Sequence, residues 1–207
     1  MATVSDFLNE CINENAGVVV QKYLINGASY FFENVVVEKD EEFFFKKELA
    51  ESLNVHIQDI VIIGSGKLGF SIKPDKYNLQ FYQFKNFDYD FNEDNESKKS
   101  DLDIAIISSN LFDKQLKDIY DHTQFYTSDE FSGTKKKSFA NYILKGWLRT
   151  DMMPDDYNIT EEIIEVSNKY KKKYNRDVNI GVYKSWAYFE QYHMNNITRI
   201  KLNQLAI

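Results

Sequence analysis

Apolar positions recur at helical spacing towards both ends of the chain and gather into short unbroken runs in its middle. In residues 4–14 (VSDFLNECINE), Val4, Phe7, Leu8, Cys11 and Ile12 share one helical face, with Ser5 as candidate N-cap and Cys11 assigned to the core. Residues 17–24 and 29–37 stay open in type: each carries a Val-Val-Val run that favours a strand, while Tyr30, Phe31 and Phe32 suit a buried helix. The acidic start of 41–53 and its Phe43, Phe44, Leu49 and Leu53 predict a helix ending before Asn54. The run 60–63 (IVII), stopped by Gly64, reads as a strand buried on both faces and followed at once by a turn. A second strand spans 100–108, with Asp101 and Asp103 on one face and Leu102, Ile104 and Ile106 on the other. A third, 177–185, puts Asp177 and Asn179 on one face. Helices are predicted over 111–121, 137–148, 160–174 and 186–205.

These elements predict an α+β fold: a small mixed sheet flanked by helices, with helical additions at both ends and a site on the sheet's rim. The chain reads as one domain, mainly helical over 1–55, with a core at 56–110 and then helices plus the third strand over 111–207. An aromatic and acidic insertion, 77–99, separates the first two strands, and its stretch 92–99 (NEDNESKK) has no apolar residue and is the best linker candidate.

Composition narrows the class. With 207 residues, 43% of them hydrophobic and only 2 Pro, the chain is neither collagen-like, proline-rich nor intrinsically disordered. A net charge of −7 disfavours a coat of nucleic acid or anionic lipid and leaves room for a local contact. The single cysteine, Cys11, rules out an intramolecular disulfide, and with His56, His122 and His193 scattered it forms no zinc-ligand pattern. There is no apolar run of about 20 residues, and the first residues lack the basic and apolar regions of a signal peptide. The expectation is a cytoplasmic protein without a membrane segment, its oligomeric state open.

The chemistry concentrates in 62–71 (IIGSGKLGFS) and 100–104 (SDLDI). Gly64, Gly66 and Gly69 match G-x-G-x-x-G, but a dinucleotide turn must open a helix, and the stretch towards Pro74 offers no helical period. A kinase loop lacks its companion strand, catalytic loop and Asp-Phe-Gly triplet here. A plain glycine turn between strands is the bland alternative. Asp101 and Asp103, one residue apart on a strand, point the same way and suit Mg²⁺ or Mn²⁺ bridging a nucleoside triphosphate; alone, such a pair is most often a solvated strand end. Joined to Gly64 and Ser65, whose backbone can approach phosphates closely and whose hydroxyl can donate to one, the pair supplies the parts of phosphoryl transfer.

Gly64-Ser65 after an apolar strand, with Asp101-Leu102-Asp103 on the next, resembles the polymerase-β-like nucleotidyltransferase superfamily. The wording of 66–71 (GKLGFS) and 181–186 (GVYKSW) is similar to stand-alone nucleotidyltransferases of bacterial anti-phage systems, the Hailong type among them. The resemblance implies a nucleotidyltransferase sheet, Gly64 and Ser65 on the triphosphate, Asp101 and Asp103 on the metal, and a third carboxylate on a neighbouring strand, for which Asp177 is the candidate. It implies an NTP or dNTP substrate, a nucleotide or short oligonucleotide product, and a separate effector protein that responds to it. Two features depart from the family: Asp101 lies 36 positions after Ser65 (65 to 101), a long connection, and Asn179 stands where a carboxylate is expected. Two other readings stay beside it: an enzyme of toxin–antitoxin type that nucleotidylates a protein, itself on Tyr included, or tRNA, and a degenerate fold kept for binding a partner.

Lys67 and Arg149 complete the candidate nucleotide-binding set, Lys67 as a phosphate neutraliser and Arg149 as a phosphate or base contact; a solvated lysine and an ordinary salt bridge are their bland counterparts. The basic runs at 135–137 and 171–173 read as solvated faces or as walls of a groove, and the insertion's aromatics as core or partner-facing.

Overall fold

The computed structural model describes residues 3–36, 38–92, 98–129, 131–154, 156–157 and 159–206. In chain order the elements are α1 (Val4–Asn13), α2 (Ala16–Val19) running into a π-helical segment (Val20–Ile25), α3 (Tyr30–Asn34), α4 (Glu41–Leu53), β1 (Ile60–Ile63) and α5 (Gly64–Leu68). Then come β2 (Leu102–Ile107), α6 (Ser109–His122), α7 (Gly133–Ile143), β3 (Trp147–Leu148), α8 (Glu161–Tyr174), β4 (Val178–Tyr183) and α9 (Trp186–Leu205). The fold is α+β: helices flank a four-stranded mixed sheet in the order β1-β2-β4-β3. The chain divides into two compact units.

The first unit comprises Met1–Phe45, Val61–Asp103 and Glu190–Ile207. Its core is Phe7, Cys11, Val19, Val20, Tyr23 and Leu24 from the early helices, Leu68 and Phe70 from the motif region, and Ile197 and Ile200 from α9. Burial pushes the Cys11 thiol up to about 12, so Cys11 behaves as a small apolar side chain. The cap of α1 is Thr3 rather than Ser5: Thr3 Oγ1 accepts from the Asp6 N–H at 3.1 Å and Asp6 Oδ2 accepts from the Thr3 N–H at 3.1 Å. Ser5 has Leu8 three positions on, which cannot return such a bond. Of the two stretches open between strand and helix, the first is helical throughout and the second only over Tyr30–Asn34, with Val35 and Val36 beyond the helix. Val19, Val20, Tyr23 and Leu24 are buried together at spacings of one and four, so packing overrides the strand preference of the valines; Val37 lies outside the described residues.

The insertion folds as an irregular hairpin. Phe70 bridges Asn86 and Pro74 bridges Tyr82, while the Phe87 N–H donates to the Gly69 carbonyl at 2.8 Å. Of the linker candidate 92–99, residues 93–97 lie outside the described residues.

The second unit comprises Lys46–Ile60 and Ile104–Phe189. The Ser108 N–H donates to the Tyr183 carbonyl at 2.9 Å, and the Ser108 hydroxyl caps α6 by accepting from the Leu111 N–H at 3.2 Å. The helix predicted over 137–148 is corrected: α7 starts at Gly133 and ends at Ile143, and 147–148 form the edge strand β3. The reason is Gly146, whose φ of +64° turns the chain out of the helix, so that Trp147 pairs antiparallel with Tyr183 and Leu148 with Val182. The Trp147 ring then lies flat on Tyr183, centroids 5.1 Å apart. The sheet therefore has a fourth strand beyond the three read from the sequence. Among the described residues no helix is long and apolar enough to cross a membrane.

Candidate active site

β1 is buried along its whole length and delivers the chain to Gly64. There the backbone takes φ +66°, a left-handed conformation open to glycine at little cost, and begins not a plain turn but the one-turn helix α5, which ends at Gly69. This corrects the expectation that no helix opens at the motif; Pro74 lies five residues beyond Gly69, too far along to prevent one. Gly66 explains why a glycine stands inside that helix. A Cβ there would lie 2.9 Å from Leu102 Cδ1, so the missing side chain lets α5 press onto the start of β2.

That contact brings the two halves of the motif together. A Cβ on Gly64 would lie 3.0 Å from Asp103 Oδ2, so the carboxylate of β2 sits directly against the glycine. A carboxylate in this place repels a bare pyrophosphate and tolerates a phosphate only with a cation between them, which separates the site from a dinucleotide turn. Asp101 and Asp103 are both half-buried, and Ser65, on the first turn of α5, is half-buried as well. Asp101 also pairs with Lys98, Nζ to Oδ1 at 3.3 Å.

A reciprocal clamp, not anticipated from the sequence, holds the chain just before Asp101. The Asp88 N–H donates to Ser100 Oγ at 2.9 Å and the Ser100 N–H donates to Asp88 Oδ1 at 2.7 Å. Asp88 reaches this geometry with φ +58°. The insertion thus returns to brace the approach to β2, and the single sequence cue is an Asp and a Ser, each able to bond a backbone N–H.

Gly64, Ser65, Lys67, Asp101 and Asp103 all belong to the first unit, and Arg149 and Asp177 to the second. Lys67 is not on an exposed loop: it is 6% exposed, and its Nζ donates to the Gly27 carbonyl at 2.5 Å. It lies on α5, three positions after Gly64. Arg149 follows β3 and is engaged on every side. It donates to both Asp151 oxygens at 2.9 and 2.6 Å and to the Tyr142 hydroxyl at 2.9 Å, and it lies over the Tyr142 and Trp147 rings. Burial lowers its pKa and Asp151 raises it, with a net rise, so Arg149 has the geometry of the salt-bridge reading. Asp177 stands one residue before β4 and pairs with Lys171, Nζ to Oδ1 at 2.7 Å; Asn179 on β4 is exposed.

The donor set fits a hard divalent cation, because Mg²⁺ and Mn²⁺ take one or two carboxylates and complete their shell with phosphate oxygens and water. Among the described residues no three His, Cys, Asp or Glu side chains gather in a metal-holding group. Compared with protein-family models, curated proteins and solved structures, the chain matches none.

Proposed function

We propose that the chain is a metal-dependent nucleotidyltransferase that joins the α-phosphate of an NTP or dNTP to a hydroxyl and releases pyrophosphate. The observation that supports this reading is the approach of Asp103 Oδ2 to within 3.0 Å of the Gly64 Cβ position, which joins the glycine–serine turn to the aspartate pair. Asp101 and Asp103 would hold Mg²⁺ or Mn²⁺. When bound, the cation supplies positive charge against the phosphates and the leaving pyrophosphate.

The rest falls to the chain. The Gly64–Ser65 backbone and the Ser65 hydroxyl orient the triphosphate. The acceptor oxygen bonds to the α-phosphorus as the bond from that phosphorus to the bridging oxygen breaks, and the hydroxyl proton passes to a carboxylate, which the resemblance expects on a neighbouring strand. By the resemblance, the product is a nucleotide or short oligonucleotide that acts as a signal to a separate effector in anti-phage defence in the cytoplasm.

The test is incubation of purified protein and Mg²⁺ with each α-labelled NTP and dNTP, products being separated on a denaturing gel before and after protease. Labelled oligomers from the wild type, absent with Asp101→Ala or Asp103→Ala, are the expected outcome. Full activity in both variants refutes the mechanism. Label held as a single nucleotide on protein or on added tRNA moves the assignment to a modifying enzyme of toxin–antitoxin type.

A second reading, a fold retained for binding a partner, is favoured by exposed Asn179 on β4 and by the Lys171 ion pair on Asp177. It is supported if no nucleotide is incorporated under any condition.

A further inference from the structure

We infer that Asp88, on the insertion, is a positioning residue for the cation at the candidate site: its bond to the Ser100 amide sets how tightly the neighbouring Asp101 carboxylate holds a divalent metal, a role that rests on the reading of Asp101 and Asp103 as metal ligands. Asp88 lies outside both halves of the motif, and three observations lead to it.

The first is that the two aspartates are not held alike. Asp103 is inside β2, an inner strand of the sheet, where ladder bonds on both sides fix the backbone; Asp101 stands one residue before that strand. The Lys98 ion pair to Asp101 comes from a side chain 68% exposed, a contact worth little in water. The second is the grip on Ser100, the residue joined to Asp101. Asp88 Oδ1 accepts from the Ser100 N–H at 2.7 Å, and Ser100 Oγ accepts from the Asp88 N–H at 2.9 Å. Two bonds running in opposite directions hold distance and orientation together.

The third is that Asp88 is itself anchored, through Phe87. Phe87 is 8% exposed, its ring lies against Tyr30 and Phe31 with centroids 5.8 and 6.0 Å away, and its N–H donates to the Gly69 carbonyl at 2.8 Å. Gly69 ends α5, the helix that begins at Gly64. Two consecutive residues of the insertion therefore tie the end of the glycine helix to the approach of β2. Asp88 adopts φ +58° in doing so, a left-handed conformation that aspartate and asparagine accept more readily than other side chains and that persists where surrounding contacts enforce it. Groups that orient a metal's ligands govern affinity without touching the ion.

The experiment is titration of the full chain with Mn²⁺ alone, the free ion being read by electron paramagnetic resonance, so that no turnover enters. Wild type is expected to bind and Asp101→Ala to lose most of that binding. Asp88→Gly takes a positive φ without strain but has no side-chain acceptor, and is expected to bind Mn²⁺ about tenfold more weakly or worse. Asp88→Asn keeps an acceptor oxygen and the left-handed preference while losing the charge. It is expected to bind much nearer to wild type than Asp88→Gly does, which separates positioning from simple attraction between a carboxylate and the cation. Ser100→Ala keeps every charge and removes the other bond; it is expected to weaken binding as well, and it keeps the test decisive if Asp88→Gly folds poorly. Binding that Asp101→Ala abolishes but that Asp88→Gly and Ser100→Ala leave unchanged overturns the role of Asp88 and leaves the metal reading standing. Equal weakening in Asp88→Asn and Asp88→Gly overturns it too, charge then being the cause. A wild type that binds no Mn²⁺, or an Asp101→Ala that binds it equally, overturns the metal reading and the role of Asp88 with it.

Discussion

Gly64 is held by two constraints at once, a left-handed φ of +66° and an Asp103 oxygen 3.0 Å from its Cβ position. Alanine there meets both, so Gly64→Ala is expected to cost about 1–2 kcal/mol from the backbone alone, and more as Asp103 is displaced. Urea unfolding measures the cost, and the labelled-nucleotide assay should show the loss of transfer beside it. His193 makes a second prediction. It is buried, and burial pushes its imidazole down to about 4 from 6.5. The unfolded chain then binds the extra proton between those values, so this contribution to stability is complete above pH 6.5 and is lost as pH falls towards 4. The loss is about 3 kcal/mol at most, at 1.36 kcal/mol per pH unit. Unfolding free energy followed across that range should slope in the wild type and flatten in His193→Leu; equal slopes would remove His193 as the cause. The place of Asp103 on β2 was legible from strand alternation, whereas Asp101, read as part of the same strand, stands one residue before it. The place of Lys67 was not legible, because nothing in its neighbours shows that the helix carrying it turns its ammonium towards Gly27.

Element by element, legibility followed the strength of local signals. The bounds of α4 and α9 were read correctly, α4 closing at Asn54 with φ +51° as its sequence suggested. α1 was found but its cap was misplaced, and the difference is measurable. Thr3→Ala should destabilise by about 1 kcal/mol in thermal or urea unfolding, while Ser5→Ala should change little. The reverse order would restore Ser5 as the cap. α2 and β3 were hidden for physical reasons: Val19 and Val20, which favour a strand, are claimed by a helical core, and a two-residue edge strand, Trp147–Leu148, has no period to detect; α3 ends at Asn34, before the second valine run. The Asp88–Ser100 clamp was hidden because its partners lie 12 positions apart across an insertion.

At the scale of the whole molecule, the first unit draws on three separate stretches of chain, and Ile197 and Ile200 complete a core begun by Phe7 and Cys11. Ile197→Ala should therefore cost about 2–5 kcal/mol, read by chemical denaturation, with hydrogen exchange quickening in α1 as well as in α9. Acceleration confined to α9 would show that the early helices do not depend on it. The α+β class was legible from the runs and periods together, but the division into two units was not, since no composition shift marks Asp103 or Glu190. The order of synthesis gives that division a further meaning. At about 5–20 residues per second, the ribosome releases Phe7 roughly 10–40 s before Ile197. Through that interval the apolar faces of α1 and the π-helical segment lack the residues that finally cover them. Until then they are exposed apolar surface of the kind that chaperones bind.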